Sequence, residues 1–227
     1  MVESTAQKQE TANEASLSEE SAREESVREE SASGAAGIHD GCFVSSRAAL
    51  AIAFAWGLAE ATFFFIVPDV LLTLLARGAL KPALKASGAA LAGALVGGAC
   101  MYAFASAAPD AARAALDYVP AISPTLIARV AGQTDEYGLI AILTGPLKGI
   151  PYKIYAVCWG AQGRSFAGFL LISIPARYVR FFLSAVVARL LARALEPFTK
   201  RRASVEILIL AGIWTAFYGF YFWRFGW

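Results

Sequence analysis

Histidine and cysteine are scarce in this 227-residue sequence, and their scarcity removes several classes of function. The chain has one histidine, His39, and three scattered cysteines, Cys42, Cys100 and Cys158, with no CxxC pair and no zinc-ligand spacing. It also lacks GxSxG, HExxH and P-loop motifs. We therefore expect no metal, no cofactor and no enzymatic activity.

Large apolar residues are rare in residues 1–41, which are rich in glutamate and serine. Residues 1–40 contain ten acidic and three basic residues, and the sequence EESAR, EESVR, EESAS runs over 19–33. A segment of this composition buries too little apolar surface to offset the entropy of ordering. We predict a disordered acidic tail over 1–41, because the alternative, an isolated helix, is marginal in water.

The rest of the chain has the opposite character, with eight acidic and seventeen basic residues. Its basic residues lie in short loops and apolar segments, an arrangement that gives no support to nucleic-acid binding. Segment 86–108 carries no charge, and segments 165–195 and 205–223 are long and apolar. Each exceeds or approaches the ~20 residues that a membrane-spanning helix needs. The aromatic end of the last segment is typical of a membrane interface.

Two further apolar segments are interrupted by charges at helix-breaking residues. Segment 48–76 contains Glu60 and the pair Pro68-Asp69, and segment 137–162 contains Gly145-Pro146-Leu-Lys148-Gly149-Ile-Pro151-Tyr-Lys153. Breaks in the middle of such segments predict two re-entrant helical hairpins, at about 46–76 and 137–162. Non-helical backbone at membrane depth is tolerated where protein or water covers it.

The basic loops give the predicted topology. Arg77, Lys81 and Lys85 form one such loop and Lys200, Arg201 and Arg202 another, and both are expected in the cytoplasm with the N-terminal tail. Segment 109–136, broken by prolines into short interfacial helices, is acidic and is expected outside. The predicted fold is an all-α integral membrane protein. Its membrane domain, 42–195, is an inverted repeat of two re-entrant hairpins, each followed by a transmembrane helix, and 196–227 adds a basic loop and a last transmembrane helix.

At the two hairpins the sequence resembles the DedA family, also called the SNARE-associated Golgi protein or VTT-domain family, and in particular its shorter bacterial branch. The resemblance lies in Glu60 with Pro68-Asp69, in the segment from Lys148 to Lys153, and in the residues Gly160, Phe166 and Phe169. It departs from the family where Val-Pro-Asp replaces Pro-Gly-Glu and where lysines replace arginines. Lys153 also lies one residue nearer to Pro151 than the family's second arginine.

The resemblance implies two re-entrant hairpins that meet head to head in a bacterial inner membrane. It also implies a transport activity, the flippase- or scramblase-like movement of lipid head groups across the bilayer. The cargo would be polyprenyl phosphate or a phospholipid, and coupling to protons is proposed for some members.

Ionisable residues inside a membrane are functional candidates because charge in hydrocarbon is costly. The candidate substrate-binding residues are Glu60, Asp69, Lys148, Lys153, Arg177 and Arg180. The four bases would bind a phosphate, and the two acids would neutralise bases in its absence. Other roles remain open: helix capping for the acids, snorkelling to an interface for the arginines, and marking the outer interface for the lysines.

Three functions are compatible with this pattern. The first is a translocase of lipid or lipid-phosphate head groups, whose partners are membrane lipids. The second is a proton-coupled transporter of a small solute, with Glu60 and Asp69 as the proton site. The third is a membrane scaffold protein that transports nothing. Homo-oligomer formation is left open.

Overall fold

The computed structural model describes residues 46–199 and 202–225, and within these ranges the regular elements are all helices. The acidic tail predicted over 1–41, and Lys200 and Arg201 of the second basic loop, lie outside the described residues. The helices are α1 Ser46–Thr62, α2 Asp69–Gly78, α3 Leu80–Ala107, α4 Pro109–Asp117, α5 Pro124–Tyr137, α6 Leu139–Thr144, a 3₁₀ turn Pro146–Lys148, α7 Tyr152–Ala161, α8 Phe166–Thr199 and α9 Ala203–Phe225.

Within the described residues, three helices are long and apolar enough to cross a membrane: Leu80–Ala107, Phe166–Pro197 and Ser204–Trp223. They confirm the predicted long helices at 86–108, 165–195 and 205–223, and they are consistent with a membrane-embedded protein. The prediction of a basic loop at Arg77, Lys81 and Lys85 was wrong, however, because Lys81 and Lys85 lie on α3. Pro82 does not prevent this, since a proline in the first turn of a helix removes no intrahelical hydrogen bond. Likewise Pro197 lies near the end of α8 rather than in a loop.

Glycines allow α1 and α3 to pack with their backbones in contact. A Cβ on Gly93 would lie 1.9 Å from the carbonyl oxygen of Phe54, and one on Gly97 would lie 2.7 Å from that of Leu58. Gly57 on α1 meets the backbone of α3 in the same way. Small residues at this spacing give transmembrane helices their close approach, so the Gly93 and Gly97 pair fixes α1 against α3.

The short helix α7 lies at the centre of the fold, and residues 152–160 are all buried. Each broken segment places its first helix against the long helix that follows it and its second helix mainly against the other long helix. The first helices, α1 and α6, pack on α3 and α8 respectively, while the second helices, α2 and α7, pack mainly on α8 and α3, and α2 also contacts α3. Both broken segments thereby contact both long helices.

Candidate functional site

The first chain break, residues 63–68, is held by hydrogen bonds from three other parts of the fold. The indole of Trp56 donates to the carbonyl oxygen of Ile66 at 2.9 Å, and the backbone N–H of Val67 donates to the hydroxyl of Tyr218 at 2.9 Å. The ammonium of Lys153 donates to the carbonyl oxygen of Phe64 at 2.7 Å. Non-helical backbone in an apolar setting needs such partners, because unpaired polar groups there cost several kcal/mol.

The second break owes its shape to glycine. Gly149 ends the 3₁₀ turn with φ of 82°, a left-handed conformation that side chains disfavour. Gly145 leaves room for a ring, since a Cβ there would lie 2.0 Å from the hydroxyl of Tyr155. Pro151 is the N-cap residue of α7, and Lys153 lies in the first turn of that helix. The glycines and prolines of this break therefore fix the position of Lys153 at the start of α7.

Glu60 and Arg177 form an ion pair in the interior. Glu60 lies on the last turn of α1, and its carboxylate accepts a hydrogen bond from Arg177 of α8. Their side chains are only 5% and 1% exposed. The guanidinium also lies 4.7 Å from the ring centroid of Tyr152 and 5.1 Å from that of Phe181. Because Nε and Nη1 of Arg177 have no hydrogen-bond partner among the described residues, Glu60 is what balances this charge.

Asp69 and Arg180 form a second ion pair one helical turn along α8. Arg180 donates to Asp69 at 2.9 Å, and Ser184 donates to the other carboxylate oxygen. Asp69 is the first residue of α2, but the structure records no side-chain cap at this helix start. The capping alternative for Asp69 is therefore not the arrangement found. Spacing on α8 explains the two pairs, since residues three apart share a helix face.

The two lysines have no acidic partner within 4 Å in the described part of the chain. Lys153 is buried and bonded to the carbonyl of Phe64, whereas Lys148 on the 3₁₀ turn is exposed. Within the described residues, neither lysine therefore forms an ion pair.

A cavity of about 410 Å³ lies where the two breaks meet α8 and α9. Four of the six candidate residues line it: Glu60, Lys148, Lys153 and Arg180. Asp69 and Arg177 are not among the lining residues, but each is paired with one that is. The structure thus brings six residues, from two broken segments and α8, together at this cavity. We call the cavity the charged cavity.

Sequence reasoning missed the contribution of α9. Phe217, Tyr218, Phe220 and Tyr221 line the charged cavity, and the ring of Phe65 in the first break packs 6.1 Å from that of Tyr218. These aromatic residues were interpreted as a membrane-interface belt. Their helical spacing was a signal that they share a face, but composition alone could not tell a face that covers a cavity from one that meets lipid.

Comparison with known proteins gives a relative without an assigned activity. An uncharacterized protein of Haemophilus influenzae is 29% identical over 150 residues, which cover 66% of this chain and 76% of the relative. No family model matches the chain, and no solved structure matches it. The functional argument therefore depends on the geometry of the charged cavity.

Proposed function

We propose that this protein binds the anionic head group of a lipid phosphate or phospholipid in the charged cavity and moves it across the bilayer, as its resemblance to the DedA family implies. One observation carries the proposal: the cavity joins two chain breaks and holds more positive than negative charge. The membrane is taken to be the bacterial inner membrane, with the N-terminal tail in the cytoplasm.

Charge pairing within the cluster favours an anionic cargo. Four bases and two acids leave a formal excess of +2, and the acids are already bonded to Arg177 and Arg180. The excess thus falls on Lys148 and Lys153. A phosphate monoester carries about −1.5 to −2 at neutral pH, which matches this excess. Hydrogen bonds between ionised partners are also the strong ones, and they replace the hydration that a phosphate loses.

Helix packing supports the re-entrant inverted repeat. In each half, the first hairpin helix packs on the long helix that follows it, and the second packs more extensively on the long helix of the other half than on its own. Such an exchange is expected if two halves are related by a pseudo-two-fold axis in the membrane plane. The two breaks then meet at the centre, where a transported group would be bound.

Glu60 and Asp69 act as internal counter-ions in this proposal. They neutralise Arg177 and Arg180 while no phosphate is bound, which avoids isolated charge in the apolar interior. A proton-coupled solute transporter, with Glu60 and Asp69 as its proton site, is the second candidate, because Glu60 lines the cavity. A scaffold without cargo is disfavoured, since it would need no cavity beside unpaired lysines.

The test is transport of head groups in liposomes containing the purified protein, measured for labelled phospholipid and for polyprenyl phosphate. Lys153→Met keeps the length of the side chain but removes its charge and its hydrogen bond to the carbonyl oxygen of Phe64, so thermal unfolding must first show that the variant is folded. Loss of one charge-assisted hydrogen bond, worth about 1.5–3 kcal/mol, should slow transport by about 10- to 150-fold. Lys148→Met should also slow transport.

Lys85→Met is the matched control, because Lys85 is exposed on α3 and outside the cavity. Glu60→Gln and Arg177→Ala should also abolish transport, but each leaves a buried charge or cavity and must first be shown to be folded. Equal transport by wild type and both lysine variants would reject the site. No transport of either lipid by the wild-type protein would reject the function and favour a solute carrier.

A further inference from the structure

A second cavity, of about 230 Å³, lies between α2, α8 and α9, and we call it the apolar groove. Aliphatic side chains form most of its wall, including Val187 and Leu191 of α8 and Ile213 of α9. These three residues are each about half exposed, at 51%, 48% and 50%. The groove is therefore open along the same surface that the long helices present to the membrane.

Polar groups at the groove's inner end are already satisfied within the protein. The hydroxyl of Thr73 accepts from the indole of Trp214 and donates to the carbonyl oxygen of Val70. The hydroxyl of Ser184 donates to Asp69. These groups leave little for a polar ligand to bind, whereas a hydrocarbon chain needs no hydrogen-bond partner.

The groove begins one helical turn from the charged cavity on two helices. On α8, Ser184 lines the groove and Arg180 lines the cavity, and both bond to Asp69. On α9, Trp214 lines the groove and stacks 5.9 Å from Tyr218, which lines the cavity. The charged and apolar compartments are consecutive along the contact between α8 and α9, as the head and tail of an amphiphile would require.

The length of the groove matches one leaflet of a bilayer. Its lining on α8 runs from Ser184 to Leu195, which at 1.5 Å per residue is about 16 Å. Half of the ~30 Å hydrocarbon core is about 15 Å. The outer end contains the ion pair of Arg77 and Glu206, at 2.8 Å, so the apolar part stops there.

We propose that the apolar groove binds the hydrocarbon chain of the lipid whose phosphate occupies the charged cavity. This inference rests on the proposed function and adds that the cargo is recognised at both ends. A free phosphate or small polar solute would use the cavity alone.

The test is photo-crosslinking in nanodiscs with a long-chain alkyl phosphate that carries a diazirine in the middle of its chain. The matched probe is the alkyl alcohol of the same chain, which has no phosphate. The phosphate probe should crosslink to α8 within 187–195 and to α9 within 206–213, and Lys153→Met should reduce this labelling. Labelling by the alcohol should spread over the membrane-facing surface.

Two variants on α8 separate the groove from its surroundings. Ala192 lines the groove, whereas Ala194 is exposed and outside it. Ala192→Trp should abolish groove labelling and Ala194→Trp should leave it unchanged. Equal labelling by phosphate and alcohol, or unchanged labelling in Ala192→Trp, would overturn the inference. So would a crosslink between two copies of the chain through these segments.

The two proposals fail in different ways. If transport still depends on the lysines but the alkyl phosphate probe labels no residue of the apolar groove, only the assignment of the groove is wrong. If the phosphate probe labels no more than the alcohol and Lys153→Met changes neither labelling nor transport, the charged cavity itself is not the site.

Discussion

Replacing Glu60 by glutamine should destabilise the protein strongly, because it leaves the charge of Arg177 buried without a counter-ion. The two side chains are 5% and 1% exposed, and two of the three guanidinium nitrogens have no partner among the described residues. Removing one member of a buried pair costs about 3–5 kcal/mol. For a domain of this size, about 2–4 °C per kcal/mol, the unfolding midpoint should fall by about 6–20 °C.

The double variant Glu60→Gln/Arg177→Met should recover most of this loss. Replacing both charges removes the uncompensated one, and such replacements of buried pairs are commonly neutral or stabilising. Thermal unfolding followed by tryptophan fluorescence, in one detergent for all variants, gives the four midpoints of the double-mutant cycle. A coupling free energy of several kcal/mol is the expected result.

Asp110→Asn is the control for this cycle, because Asp110 is fully exposed and lies 3.8 Å from Arg113. Its midpoint should equal that of the wild type, as exposed ion pairs contribute little. The reasoning is refuted if Glu60→Gln shifts the midpoint no more than Asp110→Asn does. It is also refuted if the double variant is no more stable than Glu60→Gln, since the loss would then not come from unpaired charge.

Two glycine substitutions test the packing and the second break, each against a glycine of the same protein. Gly93→Ala should lower the free energy of unfolding by about 1–3 kcal/mol, because its Cβ would meet backbone of α1 and force the helices apart. Gly88→Ala, in open space on the same helix, should raise the free energy of unfolding by up to about 1 kcal/mol. Gly149→Ala should cost about 1–2 kcal/mol because of its positive φ, whereas Gly132→Ala in α5 should be neutral or stabilising. Thermal midpoints measure both pairs, and equal shifts within either pair would contradict the corresponding argument.

Local features of the sequence were enough to predict where helices run and where they break. Length and apolarity identified the three long helices, and prolines and glycines identified the breaks after Thr62 and Thr144. Helix starts were less well predicted at the basic residues. Lys81 and Lys85 extend α3 by a turn and a half, because long basic side chains are good helix formers and Pro82 fits the first turn.

The candidate site was only partly predictable. Charge in an apolar segment is visible in the sequence, so Glu60, Lys153 and Arg177 could be chosen without a structure. The role of Ser184, which binds Asp69, could not, since a serine on an apolar helix has many ordinary explanations. Neither could the role of Tyr218, whose hydroxyl binds the first break, because sequence analysis assigned the aromatic end of this transmembrane helix to a membrane interface.

The sequence by itself determined the helices, the two breaks and the presence of six charges in apolar segments, because these follow from hydropathy, length and backbone chemistry over a few neighbouring residues. Only the tertiary structure decided that Glu60 pairs with Arg177, 117 residues away, and Asp69 with Arg180, 111 residues away. It also decided that Lys148 and Lys153 line one cavity without forming an ion pair among the described residues. Such pairings depend on how α8 packs across two hairpin segments, and no local pattern contains that information.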